Sequence, residues 1–125
     1  MTSELSKIVV VEDDASIRRA IKRILRCGDF AVVLFASAEA ALEANAAASA
    51  DCLVVDINLP GMSGFELYRR LTLSGKEVPV VFITARDEPF VRDEAERLGT
   101  AGNYLAKPFS GRDLLDAITR ALRRH

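Results

Sequence analysis

The sequence predicts a doubly wound α/β fold, (βα)5, in which five parallel strands alternate with five helices. Short apolar runs rich in Val and Ile recur along the 125-residue chain, at Ile8–Val11, Ala31–Phe35, Cys52–Val55, Val80–Ile83 and Tyr104–Ala106. Most of these runs show no alternation with polar residues, which is typical of strands buried on both faces of a parallel sheet. Segments of helical periodicity separate the runs, and strict alternation indicates crossover connections with helices on both faces.

Residues that begin or end helices occupy the expected places between these runs. Capping or first-turn residues indicate four helix starts, at Ser37, Ser63, Pro89 and Ser110. The alanine-rich helix after Ser37 is expected to continue through Asn45, and Gly28 and Gly99 stand where helices end. The flavodoxin-like strand order 2-1-3-4-5 is common for such sheets, and we adopt it as the expected order. Residues 1–125 are expected to form one domain, since the chain is too short for two.

Composition excludes several classes of protein. The net charge is −1, which gives no bulk electrostatic signal for binding nucleic acid or a membrane surface. The chain has no apolar run near the roughly 20 residues of a membrane span, and its polar start does not resemble a signal peptide. Its cysteines, Cys27 and Cys52, do not form a C-x-x-C pair and are expected to be buried or half-buried free thiols. These features predict a cytoplasmic protein.

Polar or charged residues follow four of the five predicted strands. They are Glu12, Asp13 and Asp14 after the first, Asp56 and Asn58 after the third, Thr84 after the fourth, and Lys107 after the fifth. Each has an ordinary explanation when taken alone; for example, Asp13 or Asp14 could cap the helix that begins near Ser16. Together they point to one site, because the carboxyl ends of parallel strands meet at one edge of the sheet, where ligands of such folds bind.

The charges of these residues indicate a metal. Two carboxylates about 5 Å apart repel each other by roughly 3 kcal/mol at an effective dielectric constant near 20. Three acids at one edge therefore need a proton, a cation or a lysine to coexist. Lys107 supplies one positive charge, and a divalent ion would supply the rest. Oxygen ligands without His or Cys nearby favour a hard ion, Mg²⁺, over zinc.

Four segments of the sequence resemble the signature segments of response-regulator receiver domains. They are Val10–Asp13, Val55–Gly64, Ile83–Ala85 and Tyr104–Phe109, in the right order and at the right spacing. The resemblance extends from near Lys7 to near Arg123 and so covers essentially the whole chain. It implies two-component signal transduction, in which a sensor histidine kinase or a phosphotransfer protein supplies a phosphoryl group.

The resemblance also implies a role for each residue of the site. Asp56 would accept the phosphoryl group, and Thr84 and Lys107 would contact the phosphoryl oxygens. The Mg²⁺ ligands would be Asp13 and Asp56 directly, Glu12 through water, and the backbone carbonyl of Asn58. Positioning and charge neutralisation, which a metal and a lysine provide, are the main requirements of phosphoryl transfer.

Further expectations concern the switch. Phosphorylation would draw the Thr84 hydroxyl toward Asp56 and vacate space for the Tyr104 ring. The last two helices and the last strand would form the output surface and, in some assemblies, a homodimer interface. The resemblance implies a cis peptide bond between Lys107 and Pro108. Such a domain would catalyse only its own phosphorylation and dephosphorylation, and would not bind nucleic acid or membranes directly.

Three other classes of protein are alternatives to this interpretation. A haloacid-dehalogenase-like phosphatase needs a second acid two residues after the nucleophile, where this chain has Asn58. A flavodoxin-like flavin carrier needs a phosphate loop where this chain has the acidic Glu12–Asp14. A receiver-like interaction module that cannot be phosphorylated stays open. Arg86 and Asn58, which flank the expected phosphoryl site, are predicted to set the rate of autodephosphorylation.

Overall fold

A computed structural model describes residues 5–75, 77–85, 89–99 and 103–123 of the chain. Within these ranges, strands and helices alternate: β1 Lys7–Val11, α1 Ala15–Cys27, β2 Ala31–Phe35, α2 Ala38–Glu43, β3 Cys52–Asp56, α3 Gly64–Leu73, β4 Val80–Thr84, α4 Pro89–Arg97, β5 Tyr104–Ala106 and α5 Gly111–Arg123. A short 3₁₀ turn at Ala46–Ser49 lies between α2 and β3. No helix within these ranges has the length and apolarity required to cross a membrane.

The five strands form one parallel sheet in the order β2-β1-β3-β4-β5. The predicted fold class and strand order are therefore confirmed. Strands β3 and β4 are buried along their whole length, whereas the edge strands β2 and β5 are half-buried.

The sheet separates two apolar layers, because successive side chains of a strand point to opposite faces. On one face, Val9 and Val11 of β1 pack with residues of α2, α3 and α4. On the other face, Ile8 and Val10 pack with residues of α1 and α5. The apolar residues of α2, α3 and α4 thus belong to one layer, and those of α1 and α5 to the other.

The ends of the helices follow the predicted capping residues with one exception. Ser110 and Asp113 form a reciprocal capping box, with N···O distances of 3.0 and 3.3 Å. Ser37 caps α2 by accepting a hydrogen bond from the Ala40 amide at 3.0 Å. The prediction that this helix continues through Asn45 is wrong. The helix ends at Glu43, because Asn45 takes a left-handed conformation with φ of 51° that turns the chain into the 3₁₀ segment.

The two cysteines differ in exposure. Cys52 is buried within β3, and burial raises the pKa of its thiol to about 12. Cys27 is exposed, so the expectation that both thiols would be at least half-buried is wrong for Cys27. It is the last residue of α1, one position before the Gly28 cap, and lies off the apolar stripe of Ile21 and Leu25.

Candidate functional site

The carboxyl edge of the sheet brings the predicted site residues together. Asp56 and Thr84 are the last residues of β3 and β4 and therefore belong to the strands, not to the loops that follow. Backbone hydrogen bonds continue one residue past β1 and β5: the Glu12 amide donates to the Phe35 carbonyl at 3.0 Å, and the Lys107 amide donates to the Thr84 carbonyl at 2.7 Å. The sheet itself thus fixes the main chain of all four residues.

Lys107 connects the acids of two strands. Its Nζ lies 2.9 Å from Glu12 Oε1 and 3.2 Å from Asp56 Oδ2. Glu12 is fully buried and Asp56 retains 4% of its accessible surface, so these carboxylates are largely removed from water. Charged groups so placed require partners, and the ammonium group provides one to both.

Three acids converge around this lysine. One carboxylate oxygen from each of Glu12, Asp13 and Asp56 lies within 4.8 Å of the other two. With every group ionised, the three carboxylates and the Lys107 ammonium sum to a charge of −2, which a divalent cation would neutralise. All three donors are oxygen atoms, which suits a hard ion such as Mg²⁺. Asp13 is exposed and leaves the cluster accessible to solvent.

Burial and pairing act in opposite directions on the ionisation of this cluster. Burial raises the pKa of Glu12 to about 7, although hydrogen bonds from Lys107 and from the Asp14 amide lower it in part. Burial, the largest single influence, lowers the pKa of Lys107, but its hydrogen bonds and ion pairs with Glu12 and Asp56 together raise it. Lys107 is thus a charged donor at neutral pH, and the raised pKa of Glu12 lies close to neutral pH.

The two aspartates in the turn after β1, Asp13 and Asp14, have different roles. Asp14 caps α1, since its Oδ1 accepts a hydrogen bond from the Ile17 amide at 2.9 Å. Asp13 is therefore available to the acidic cluster, which settles the alternative that the sequence left open. Two further contacts hold the turn: the Asp14 amide donates to Glu12 Oε2 at 3.1 Å, and Arg18 Nη1 donates to the carbonyl oxygens of Glu12 and Asp13 at 2.9 and 3.2 Å.

The turn after β3 links Asp56 to Thr84 through Asn58. The Asn58 amide donates to Asp56 Oδ1 at 2.9 Å, and the Asn58 side-chain oxygen accepts a hydrogen bond from the Thr84 hydroxyl at 3.1 Å. Farther along the same turn, the Met62 amide donates to Glu39 Oε2 at 3.0 Å. Backbone hydrogen bonds, from the amides of Glu39 itself and Met62, lower the pKa of Glu39.

The close approach of α3 to the site depends on Gly64. A Cβ atom at this position would lie 2.6 Å from the Asp56 carbonyl oxygen and 2.9 Å from Val55 Cγ1. Gly64 begins α3, and its amide donates to the Ile57 carbonyl at 3.2 Å. A glycine here therefore permits the helix to begin directly against the backbone of the strand that carries Asp56.

Three remaining predictions concern the surroundings of the cluster. The Lys107–Pro108 peptide bond is cis, the isomer that the resemblance implies. Tyr104 is half-buried and lines a cavity of about 160 Å³ with three residues of α4, Arg92, Ala95 and Glu96. It therefore faces α4. The prediction for Arg86 lies outside the described residues.

Sequence reasoning did not identify Arg18, Glu39 or Gly64. Arg18 and Glu39 act on backbone groups: Arg18 on carbonyls five and six residues earlier, and Glu39 on an amide 23 residues later. Because any residue supplies a backbone carbonyl or amide, no side-chain pattern marks such a contact. Gly64 was visible as part of the capping segment Ser63–Glu66, but its close approach to Asp56 required coordinates.

Comparison with known proteins identifies the family of this chain. The model of the response regulator receiver domain family matches residues 8–119. Nodulation protein W of Bradyrhizobium diazoefficiens is 36% identical over 117 residues, which cover 94% of this chain and 51% of that protein. Among solved structures, response regulator StyR is 38% identical with a TM-score of 0.84 and covers 97% of this chain and 61% of StyR.

A second solved structure, chemotaxis protein CheY4 of Vibrio cholerae, is 28% identical with a TM-score of 0.85, covering 94% of this chain and 99% of CheY4. The structure has a parallel 2-1-3-4-5 sheet with an acidic cluster and a lysine at its carboxyl edge. The family match over residues 8–119 identifies a protein with this architecture as a receiver domain. The chain belongs to the response regulator receiver domain family of two-component systems. It spans about half the length of the curated relatives it matches.

Proposed function

We propose that this chain accepts a phosphoryl group on Asp56 in a Mg²⁺-dependent reaction and thereby switches its surface toward a signalling partner. The observation that carries the proposal is the contact of Lys107 Nζ with both Glu12 and Asp56, at 2.9 and 3.2 Å, beside an acidic cluster of metal-ligand dimensions. A purely structural ion pair would not need the third acid, Asp13, which faces solvent.

In the proposed reaction, a carboxylate oxygen of Asp56 attacks the phosphorus atom of a phosphohistidine. The P–N bond of the donor breaks as the new P–O bond forms, and the imidazole leaves with the electron pair. Lys107 lies close enough to Asp56 to form an ion pair with the phosphoryl oxygens once the group is transferred. Mg²⁺, held by Glu12, Asp13, Asp56 and the Asn58 carbonyl, would neutralise charge on those oxygens.

The proposed switch begins at Thr84. In this structure the Thr84 hydroxyl donates to the Asn58 side chain at 3.1 Å, and phosphorylation would draw it toward the new phosphoryl oxygens. The Tyr104 ring, which borders the cavity beside α4, would then move inward. The last two helices and the last strand would carry the signal to an output domain, a partner or a second copy.

The donor would be a sensor histidine kinase or a phosphotransfer protein, as for receiver domains generally. The chain would not turn over an external substrate in the manner of an enzyme, since its only product would be its own aspartyl phosphate and, after hydrolysis, inorganic phosphate. Location in the cytoplasm and the role of Asn58 in autodephosphorylation belong to the same proposal.

Incubation with acetyl phosphate tests the proposal directly. With Mg²⁺, intact-protein mass spectrometry should detect one added phosphoryl group, and peptide analysis should place it on Asp56. The Asp56→Asn variant should gain no mass, and EDTA should abolish the reaction of the unaltered chain. If the protein stays unmodified after incubation with both acetyl phosphate and Mg²⁺, the result would favour the alternative, a receiver-like interaction module that cannot be phosphorylated.

A further inference from the structure

We propose that Arg18 is a positioning residue for the metal site, acting through the main chain of two metal-ligand residues and not through any ligand of its own. The proposal rests on the proposed Mg²⁺ site of Glu12, Asp13 and Asp56. It concerns a residue of α1 that lies outside the acidic cluster and has the wrong charge to bind a cation.

The geometry of Arg18 is specific. One guanidinium nitrogen, Nη1, donates to the carbonyl oxygens of two consecutive residues, at 2.9 Å from Glu12 and 3.2 Å from Asp13. Arg18 is half-buried, in contrast to its exposed neighbour Arg19. A single planar group bound to two successive carbonyls fixes the orientation of both peptide planes and hence the directions in which the two side chains leave the turn.

Asp13 depends on this support more than Glu12 does. The Glu12 carboxylate is held directly, by Lys107 at 2.9 Å and by the Asp14 amide at 3.1 Å. The Asp13 carboxylate accepts no hydrogen bond from any residue that the structure describes. Its place within 4.8 Å of the other two acids is therefore set by its main chain, and Arg18 is the side chain that holds that main chain.

The charge of Arg18 makes the test unambiguous. A guanidinium group near the cluster opposes the binding of a cation, so removal of its charge alone would leave Mg²⁺ affinity unchanged or increase it. Removal of its hydrogen bonds would release the Asp13 turn and decrease Mg²⁺ affinity. The two explanations thus predict effects of opposite sign.

The experiment compares Mg²⁺ binding by isothermal titration calorimetry in the full chain, in Arg18→Met and in Arg19→Met. Arg19 lies on the same helix and has the same charge, and among the described residues its side chain contacts Ser16 Oγ at 3.4 Å, so it is a matched control. Arg18→Met should weaken Mg²⁺ binding by about tenfold, the lower end of the effect of losing an outer-shell contact. Arg19→Met should bind Mg²⁺ at least as tightly as the unaltered chain.

Arg18→Lys is a second variant that keeps the inference testable if Arg18→Met fails to fold. It keeps the charge but loses the planar fork, so it should bind Mg²⁺ more weakly than the unaltered chain and more tightly than Arg18→Met. Mg²⁺ affinity of either Arg18 variant equal to that of Arg19→Met would overturn the inference. Absence of Mg²⁺ binding by the unaltered chain would instead refute the proposed metal site.

Discussion

At the scale of single residues, the stability of the site depends on the contacts of Lys107 with two buried acids. Lys107→Met should destabilise the metal-free protein by about 3–5 kcal/mol at pH 8, because Glu12 and Asp56 lose their shared counter-charge. Urea unfolding in EDTA measures this loss. Mg²⁺ should restore part of it, since the metal also neutralises the carboxylates.

The matched control for this prediction is Lys22→Met on α1, which removes an equal charge from the helix surface. It should change the free energy of unfolding by no more than about 0.5 kcal/mol. Equal effects of the two substitutions would mean that Lys107 contributes only general charge and not a specific pair.

Glu12 should make the stability of the metal-free protein depend on pH. Burial raises the pKa of Glu12 from 4.5 to about 7, so the folded state binds this proton more tightly than the unfolded state does. The stability that this proton contributes is complete below pH 4.5 and is lost as the pH rises through about 7. Glu12→Gln removes the titration, and in EDTA it should gain about 1–3 kcal/mol relative to the unaltered chain between pH 5 and pH 8. If the urea midpoints of the unaltered chain and of Glu12→Gln change in parallel with pH, this prediction is contradicted.

The sequence identified the residue types of the site but not their finer contacts. Asp56, Thr84 and Lys107 were predictable because each stands at the end of an apolar run. Which of Asp13 and Asp14 caps α1 was not predictable, because either side chain could reach a free amide of the first turn, and only the hydrogen bond to Ile17 decides it. The exposure of Cys27 was misjudged because a helix terminus is a poor guide to burial.

At the scale of elements, the start of α3 should tolerate no side chain. Gly64→Ala places a Cβ atom 2.6 Å from the Asp56 carbonyl oxygen, which forces the helix or the strand end to shift. The expected loss of unfolding free energy is about 1–3 kcal/mol, measured by urea denaturation. The rate of phosphorylation by acetyl phosphate should fall as well, because the strand end carries Asp56, the proposed acceptor.

Gly111→Ala provides the control, since Gly111 is the first residue of α5. Its Cβ atom would meet Ile24 side-chain carbons at 3.4 Å or more, so the methyl group fits. This variant should be neutral or more stable by up to about 1 kcal/mol, owing to the better helix propensity of alanine. If Gly64→Ala is as stable as Gly111→Ala, then α3 can shift away from the Asp56 carbonyl without loss of stability.

The boundaries of the strands and most helices followed from local sequence, whereas α2 did not. Alanine favours helix throughout Ala36–Ala50, and Asn45 is only a weak stop signal there, because asparagine takes the left-handed conformation more readily than most residues. The helix nevertheless ends at Glu43, because the chain must turn at Asn45 to reach β3. This is a tertiary requirement that overrides a local preference.

At the scale of the whole molecule, metal binding should stabilise the fold by linkage. Mg²⁺ at ten times its dissociation constant should raise the free energy of unfolding by about 1.4 kcal/mol, provided that the unfolded chain does not bind it. Thermal unfolding with and without Mg²⁺ measures the shift. Asp13→Asn removes an exposed ligand without disturbing the buried pair, and should reduce the shift strongly; an undiminished shift would place the metal elsewhere.

The whole fold was predictable because its strongest signal is repetitive. Buried central strands and capped helices alternate along the chain, and few topologies accommodate that alternation. The strand order itself came from precedent for such sheets, since alternation alone does not distinguish 2-1-3-4-5 from other doubly wound orders.

The two-layered core determines which helices a conformational change at the proposed acceptor, Asp56, would reach first. Phe82 and Val80 of β4 face the layer of α2, α3 and α4, and by the period of the strand Thr84 points to the same side. Tyr104, opposite Phe82 in the neighbouring strand, packs there too. Val81 and Ile83 face α1 and α5 instead. Under the proposed switch, a movement of Thr84 would therefore reach the layer of α2, α3 and α4 directly, and would reach α1 and α5 only through the sheet.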